Sequence, residues 1–353
     1  MNSVSDDGGP QISRDGLELY IQSKRAGGKA RIWVSKRAAP EDPWPEPTQL
    51  ETHVDPAVAQ SHPTLSSDGL ELYFLSQQDM WVMTRASKND AWRAPEKLGP
   101  TVNTGGVEGY PCISADGLSL YYSSNTFDGR NGEILVTTRP SRDDSWGEPI
   151  NLGPNVNSSE YDVFPFISPD GLSLFFARGY FTTDMFVSRR ASSTDPWGPA
   201  ELFSPVNSDE TDAALSFSSE DSTLYFSRGS TTVSSDFDIW QVEVTAVMDL
   251  NGDDLVDTLD VIELQRHWGS TDSFYDIAPF PLGDGISDDK DLRALKEHLS
   301  LIATDSYPIS KSNEISCDVI LSWKSTESAN TYDVYLGNDY DEVKHATTAD
   351  SSY

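Results

Sequence analysis

One line of self-similarity limits what this chain can become. "PQISRDGLELYI" from Pro10 returns as "PTLSSDGLELYF" from Pro63, "PCISADGLSLYY" from Pro111 and "PFISPDGLSLFF" from Pro165, with a degenerate fifth copy, "LSFSSEDSTLYF", from Leu215. The aligned acidic residue is Asp15, Asp68, Asp116, Asp170 and Glu220, at spacings of 53, 48, 54 and 50 residues. A period of this size means one supersecondary unit repeated in a stack or a circle, because a single copy cannot bury its own apolar face.

Each copy reads as strands. Ser-x-Asp-Gly is a tight hairpin turn in which Gly tolerates positive φ. An alternating segment such as "LELYFLS" follows, the pattern of a half-buried strand. A polar loop, for example "NTFDGRNG", leads to a third strand: "RIWVSKR", "DMWVMTR", "EILVTTR", "DMFVSRR" or "DIWQVEV". A fourth, short strand goes with "DPWPEPTQL", "DAWRAPEKL", "DSWGEPINL" and "DPWGPAEL", anchored by Trp44, Trp92, Trp146 and Trp197. The Pro three residues after the Trp in the first three copies fits only an edge strand. Four antiparallel strands, repeated with turns between them, make a propeller blade. The expected fold is mainly β: a five-bladed β-propeller over residues 1–245, six-bladed if the ends of the protein are missing. Ser-x-Asp-Gly-Leu-x-Leu-Tyr-Phe, the Asp-Ile-Trp-Val strand and Trp-x-x-Pro-x-x-Leu resemble the TolB-like, WD-like β-propeller repeat family. The resemblance covers about two thirds of the chain; it implies a fold and no particular activity.

The first ten residues belong to the same pattern. "MNSVSDDGGP" aligns with "VNTGGVEGYP" at Val102–Pro111, "VNSSEYDVFP" at Val156–Pro165 and "VNSDETDAAL" at Val206–Leu215, with Asn2 in the Asn column and Pro10 in the Pro column. The fifth blade lacks a Trp-x-x-Pro strand, and a strand from the N-terminus that would close it falls just before Met1. The expectation is a fragment of a longer secreted bacterial protein whose signal peptide is lost with the missing segment; a fifth blade of three strands is the alternative.

At residue 249 the composition changes. "DLNGDDLVDTLDVIELQRHWG" sets Asp249, Asn251, Asp253, Asp257 and Asp260 at loop positions 1, 3, 5, 9 and 12, with the Leu255 carbonyl at position 7. Oxygen donors so spaced wrap one hard divalent cation. Val256 at position 8 plugs the core, and Val261, Leu264 and Trp268 follow at helical spacing. This loop looks like that of a type I dockerin, a small calcium module that docks onto cohesin. The resemblance implies a second loop. Asp284, Asp288 and Asp291 repeat positions 5, 9 and 12, with the Ile286 carbonyl at 7, while four extra residues separate Asp276 from the rest. It further implies that positions 10 and 11, Thr258 and Leu259 and then Asp289 and Lys290, face the partner; they differ between the halves, so a symmetric two-way binding mode is not expected. Solvated acidic turns before two helices, or a calcium-stabilised tether, are the alternatives. The module spans 246–302 and its cofactor is Ca2+.

From 303 to the end, "CDVILSW" and "NTYDVYLG" are alternating strands that look like the first half of a fibronectin type III-like domain. The roughly 50 residues are half of what such a β-sandwich needs, so a partial sandwich is expected.

Lys and Arg number 25 against 57 Asp and Glu, a formal charge of −32. So acidic a surface repels nucleic acid and anionic membrane, where phosphate binding needs basic clusters. It is compatible with metal cations and neutral glycans, or with simple solubility in salt. No apolar run approaches the roughly 20 residues of a membrane span. Cys112 and Cys317 fall in different expected domains, which argues against a disulfide framework.

The sequence contains no nucleophile elbow, zinc motif or phosphate loop, and the five His, His62 and His267 among them, lack metal-ligand spacing. One column stands out. Three residues before the repeat Pro come Asp7, Gln60, Glu108, Asp162 and Asp212, and one residue before it come Gly9, His62, Tyr110, Phe164 and Ala214. Both lie where the innermost strand begins, near a mouth of the axial channel. Asp7, Glu108, Asp162 and Asp212 with His62, Tyr110 and Phe164 are candidates to bind a cation or stack on sugar rings. Two axial carboxylates at the right separation are also an acid–base pair for glycoside cleavage. The competing reading is that the carboxylates cap the turn that opens each strand. Asp79, Glu133, Asp184 and Asp238 open the third strand, Arg31 breaking the column, and Arg37, Arg85, Arg139 and Arg190 close it. Both read as structural, the Arg stacked on a Trp or paired to a turn carboxylate. The expected function is a secreted, non-catalytic binding platform for glycan or protein, tethered through a cohesin-type partner. The alternative is a carbohydrate-active hydrolase or lyase.

Overall fold

The computed structural model describes residues 2–55, 57–125, 132–180, 182–203, 206–218, 223–230, 237–243, 250, 256, 258–270, 275, 277 and 287–298. A C-terminal unit, Leu299–Tyr353, and with it the expected partial sandwich, lies outside the described residues.

Five antiparallel sheets form a five-bladed propeller. The innermost strands are Asp7–Ile12, Gln60–Leu65, Glu108–Ile113, Asp162–Ile167 and Thr211–Ser218, and each contacts the next around a closed ring. Outward in each blade come the "LELYF"-type strand and the third strand. In blades one to four a two-residue edge follows: Thr48–Gln49, Glu96–Lys97, Ile150–Asn151 and Glu201–Leu202. These edges are the fourth and fifth residues after the Trp, within the Trp-x-x-Pro-x-x-Leu motif, and leave the Trp itself outside the ladder. Blade five has three strands among the described residues. The residue that an edge strand pairs with elsewhere (Trp33, Trp81, Leu135 and Phe186) is Trp240 there, 48% exposed.

The Ser-x-Asp-Gly turn is wired identically in four blades. Ser13 donates to the Asp15 carboxylate at 2.6 Å, and Asp15 accepts the Leu17 amide. Ser66–Asp68, Ser114–Asp116 and Ser168–Asp170 repeat the pair. Gly16, Gly69, Gly117 and Gly171 take φ between 68° and 76°, where a Cβ is strained. The next strand, expected from its alternation to be half-buried, is buried on both faces: Leu19 and Ile21, Leu72 and Phe74, Leu120 and Tyr122, and Leu174 and Phe176 fill one side, and Tyr20, Tyr73, Tyr121 and Phe175 the other, because blades pack against both faces of each sheet.

Two columns lock blade to blade. Arg37, Arg85, Arg139 and Arg190 lie over Trp44, Trp92, Trp146 and Trp197 at 4.1, 4.4, 4.4 and 4.3 Å, and each Arg donates its Nε to the turn glycine carbonyl. Arg85 and Arg139 also reach Glu18 and Glu71 of the preceding blade, both at 2.8 Å. Each Trp meets a Tyr of the preceding blade edge-on, and Trp44 meets Tyr225, so the contact crosses the junction between blades one and five. The Asn column does the same. Asn103, Asn157 and Asn207 each bond both the N–H and the C=O of one residue opening the third strand of the preceding blade: Met80, Ile134 and Met185. Asn2 bonds Ile239 of blade five in the same way, at 3.0 Å each. The N-terminal repeat alignment is therefore the ring's closure.

Beyond the blades lie helices α1 (Thr258–Arg266) and α2 (Asp289–His298). Val261, Leu264 and Leu295 are buried. Trp268, expected on the buried face, is 46% exposed: α1 ends at Arg266, and Gly269 at φ 75° turns the chain away before another helical turn can bring Trp268 round.

Candidate ligand-binding face at the propeller axis

The carboxylate column is built into the turn that opens each innermost strand. Asp162 is 0% exposed and accepts the Ser158 amide at 2.6 Å, the Ser158 hydroxyl at 2.9 Å and Arg178 Nε at 2.7 Å. Asp212 repeats this with Ser208 and Arg228. Asp7 accepts the Ser3 amide and Arg25 at 2.9 Å. Gln60, uncharged, accepts the Thr52 hydroxyl at 2.7 Å. Glu108 accepts the hydroxyls of Thr104 and Ser124 on one oxygen. These are the bonds of strand-opening caps. The arrangement is not uniform: Asp7, Asp162 and Asp212 each face a guanidinium, and Glu108 faces none among the described residues. Burial pushes the Asp162 carboxyl above its ordinary value despite the Ser158 and Arg178 bonds. Of the outer column, burial and the nearby Asp212 charge raise Asp184, and Lys97 pairs with Asp79 at 2.7 Å.

Two residues on, every innermost strand bulges. The residue before the Pro column takes a left-handed φ in all five blades: Gly9 55°, His62 51°, Tyr110 56°, Phe164 57° and Ala214 53°. The bulge turns these side chains toward the axis. Three rings meet there, His62–Tyr110 at 4.4 Å, Tyr110–Phe164 at 4.3 Å and His62–Phe164 at 5.2 Å. They line a cavity of about 40 Å³ together with Gln11, Thr64 and Cys112. That volume holds water and no sugar ring, so the rings fill the channel by packing on one another. Desolvation lowers the His62 imidazole to about 3, so it is neutral at pH 7, and its Nδ1 is buried without a partner. Burial pushes the Cys112 thiol up to about 12, which keeps it protonated and unreactive.

The exposed aromatic surface lies at the rim of this mouth. Tyr161, directly before Asp162, and Tyr180, in the turn after Arg178, meet edge-on at 4.7 Å, with 36% and 53% of their surfaces exposed. The column reading passed over both. The other repeats carry Asp6, Ala59, Val107 and Thr211 where blade four has Tyr161, and that break in the column is the signal that identifies it.

In the helical segment, the described members of the cation loops are Asp260, Asp288 and Asp291; Asp249, Asn251, Asp253, Leu255, Asp257, Asp276, Asp284 and Ile286 lie outside the described residues. Asp260 and Asp291 are both 0% exposed. Asp260 accepts the Leu250 amide at 2.6 Å, and Asp291 accepts the Ile277 amide at 2.6 Å and the Asp288 amide at 2.6 Å. Leu259, Asp289 and Lys290 are exposed, and the Thr258 side chain is not described. Among the described residues no three His, Cys, Asp or Glu converge on one point that could hold a metal ion, and no helix is long and apolar enough to cross a membrane.

No protein-family model and no curated protein matches the chain. Several solved structures are similar to it. A thermostable family-43 glycoside hydrolase aligns at TM-score 0.50 and 14% identity, over 68% of this chain and 91% of that one. A protein described as TolB from Agrobacterium tumefaciens aligns at 0.45 and 15%, over 69% and 79%. An endo-arabinase from Bacteroides thetaiotaomicron aligns at 0.47 and 14%, over 67% and 93%. At these identities a likeness speaks to fold alone, and of these three the family-43 glycoside hydrolase reaches a TM-score of 0.50.

Proposed function

We propose that this chain is a secreted, carbohydrate-directed propeller whose ligand lies across the mouth where the innermost strands begin. The observation that carries the reading is the Tyr161–Tyr180 pair, two exposed rings beside a ring-filled axis. Exposed paired aromatics on a rigid scaffold present flat, apolar faces with polar tips, which suit the alternating apolar and hydroxyl faces of sugars. The −32 charge favours neutral over anionic glycans.

Calcium-dependent tethering is the second part of the proposal. Asp260 and Asp291 hold equivalent places, each receiving an amide from the residue after an aspartate: Leu250 after Asp249, Ile277 after Asp276. That equivalence supports Asp276 as the first ligand of the second loop, despite the four extra residues between it and Asp284. Calcium in a dockerin-like module would use Asp249, Asn251, Asp253, Leu255, Asp257 and Asp260, then Asp276, Asp284, Ile286, Asp288 and Asp291, and would brace the helices that present Leu259 and Lys290 to a cohesin-type partner.

A specific observation also favours an enzyme. Glu108 and Asp162 sit in unlike surroundings, the first facing no guanidinium among the described residues and the second facing Arg178, and unlike surroundings are what separate an acid from a base. The family-43 glycoside hydrolase shares this fold, so a hydrolase built on this face is the second reading. One experiment addresses both. The full chain is run through native gels cast with neutral and acidic polysaccharides, and the same mixtures are assayed for new reducing ends. Retardation by a neutral glycan that Tyr161→Ala with Tyr180→Ala abolishes supports binding. Reducing ends that disappear in Glu108→Gln support hydrolysis. Neither retardation nor new reducing ends with any polysaccharide overturns the carbohydrate reading.

A further inference from the structure

Where the innermost strand begins, one row of residues lies in register across the first three strands of each blade. It is Asp162, Arg178 and Asp184 in blade four, and Asp212, Arg228 and Asp238 in blade five. Registered neighbours on antiparallel strands project from the same face with Cβ atoms about 5 Å apart. A guanidinium therefore lies in register between two carboxylates, and in both blades it ion-pairs with the inner one at 2.7 Å. In blade one the row is Asp7, Ser23 and Arg31, and Arg25 reaches Asp7 at 2.9 Å while also using the Ser23 hydroxyl. In blade two the inner member is the uncharged Gln60. In blade three the row is Glu108, Ser124 and Glu133. Both carboxylates remain there, and serine stands in place of the arginine.

The hydrogen bonding reflects the substitution. Glu108 is 1% exposed, and its Oε2 is buried with no hydrogen-bond partner; Oε2 of Glu133, on the other side of Ser124, is buried and unpartnered too. Buried carboxylate oxygens without a donor are among the costliest groups a fold can hold. Four blades balance or avoid the charge of the inner residue with groups of their own, and blade three holds two acids around a hydroxyl.

We propose that blade three binds a calcium ion between Glu108 and Glu133, in the place a guanidinium takes in blades four and five. Two carboxylates with the hydroxyls of Ser124 and Thr104 form an all-oxygen donor set, which suits a hard divalent cation. Glu108 and Glu133 lie two strand spacings apart, about 10 Å between backbones, a gap that two glutamate side chains close onto one ion. Calcium accepts such an irregular shell, whereas magnesium demands a small octahedron and holds its water. The site is in the propeller, separate from the loops before α1 and α2; it does not depend on the dockerin-like reading or on glycan binding at Tyr161 and Tyr180, and it gives Glu108 a metal-holding role in place of a hydrolytic one.

The test is calcium titration calorimetry on the full chain, stripped with chelator. Glu108→Gln with Glu133→Gln should bind one calcium fewer than the wild type. Ser124→Arg, which rebuilds the row of blades four and five, should also bind one fewer and should unfold its propeller at the same temperature in calcium as in chelator. Asp249→Ala with Asp260→Ala should leave the blade-three ion in place, so that any ion lost there is counted separately. An unchanged calcium count in the Glu108/Glu133 double variant, with a wild-type circular dichroism spectrum, overturns the proposal. If that variant does not fold, an unchanged count in folded Ser124→Arg does so.

Discussion

The rim and the axis of this propeller obey the same repeat and use it in opposite ways. At the rim, four blades carry the same Arg–Trp stack within 4.1 to 4.4 Å, each tied to the same glycine carbonyl. At the axis the backbone is just as regular, with five left-handed φ values between 51° and 57°, but the side chains are none, imidazole, phenol, phenyl and methyl. A left-handed φ favours glycine, and each residue with a Cβ there costs about 1 kcal/mol or more. Only blade one takes the unstrained choice. Uniform side chains on uniform backbone hold blades together. Varied side chains on a uniform, strained backbone are set by what they touch at the axis.

The sharpest way to break this comparison is to remove one aromatic from each region. Trp197 is 7% exposed, lies under Arg190 and meets Tyr121 of the preceding blade. Trp197→Ala should destabilise by about 3 to 5 kcal/mol, the range for emptying a buried aromatic site. Phe164→Ala at the half-buried axis should cost about 1 to 2 kcal/mol, because the cavity beside it lets neighbouring rings relax. Urea unfolding of both variants gives the ratio. An axial loss as large as the rim loss would mean the axial rings are a structural plug.

A smaller effect is expected at the strand openings. Asp162→Asn keeps the Ser158 bonds but strips the ion pair from Arg178, which retains the Val156 carbonyl and its place over Phe186. Leaving a largely buried guanidinium without its carboxylate should cost about 2 to 3 kcal/mol, at or just below the range for one broken buried pair. Gln60→Ala in blade two, where no charge is stranded, should cost about 1 kcal/mol. Equal losses in the two blades would show that the column acts through the opening turn alone and that its charge is incidental.

Much of the rim was legible in the sequence, because its signals repeat. The Ser-x-Asp-Gly turn, the Trp motif and the closing Arg each occur in four registers, and Asn2 aligns with the Asn column, although its bonds to Ile239 could not be read from that alignment. The axis was legible only as a column of positions. Nothing in His-Pro, Tyr-Pro or Phe-Pro gives the sign of φ, so neither the bulge nor the packing of His62 on Tyr110 and Phe164 could be read. Tyr161 and Tyr180 were missed for the opposite reason: they occur once, and repeat logic discards what does not recur. The helical spacing that placed Trp268 on a buried face ran one turn past the end of α1.

The axial imidazole sharpens the comparison further, because rim and axis should respond to acid over different ranges. Glu18, at the rim, is pushed up by burial and pulled down more strongly by Arg85 and Lys36, so its carboxyl lies below the ordinary value. Its contribution is present above the unfolded carboxylate range near pH 4.5 and is lost as pH falls through the lower folded value. His62 is held down to about 3 by desolvation. Between pH 6.5 and 3 the unfolded chain binds a proton at His62 that the folded chain does not, so stability drops as pH is lowered across that interval, by up to about 1.4 kcal/mol per unit. His62→Phe keeps a ring in the cluster and removes the titration. The variant should match the wild-type pH dependence above pH 7 and gain about 1 to 1.5 kcal/mol relative to it by pH 5.5, measured by urea unfolding at each pH. A wild type and variant that lose stability in parallel from pH 7 to 5.5 would show that the imidazole reaches solvent and charges in the folded ring, and that the axis is an open, wet channel.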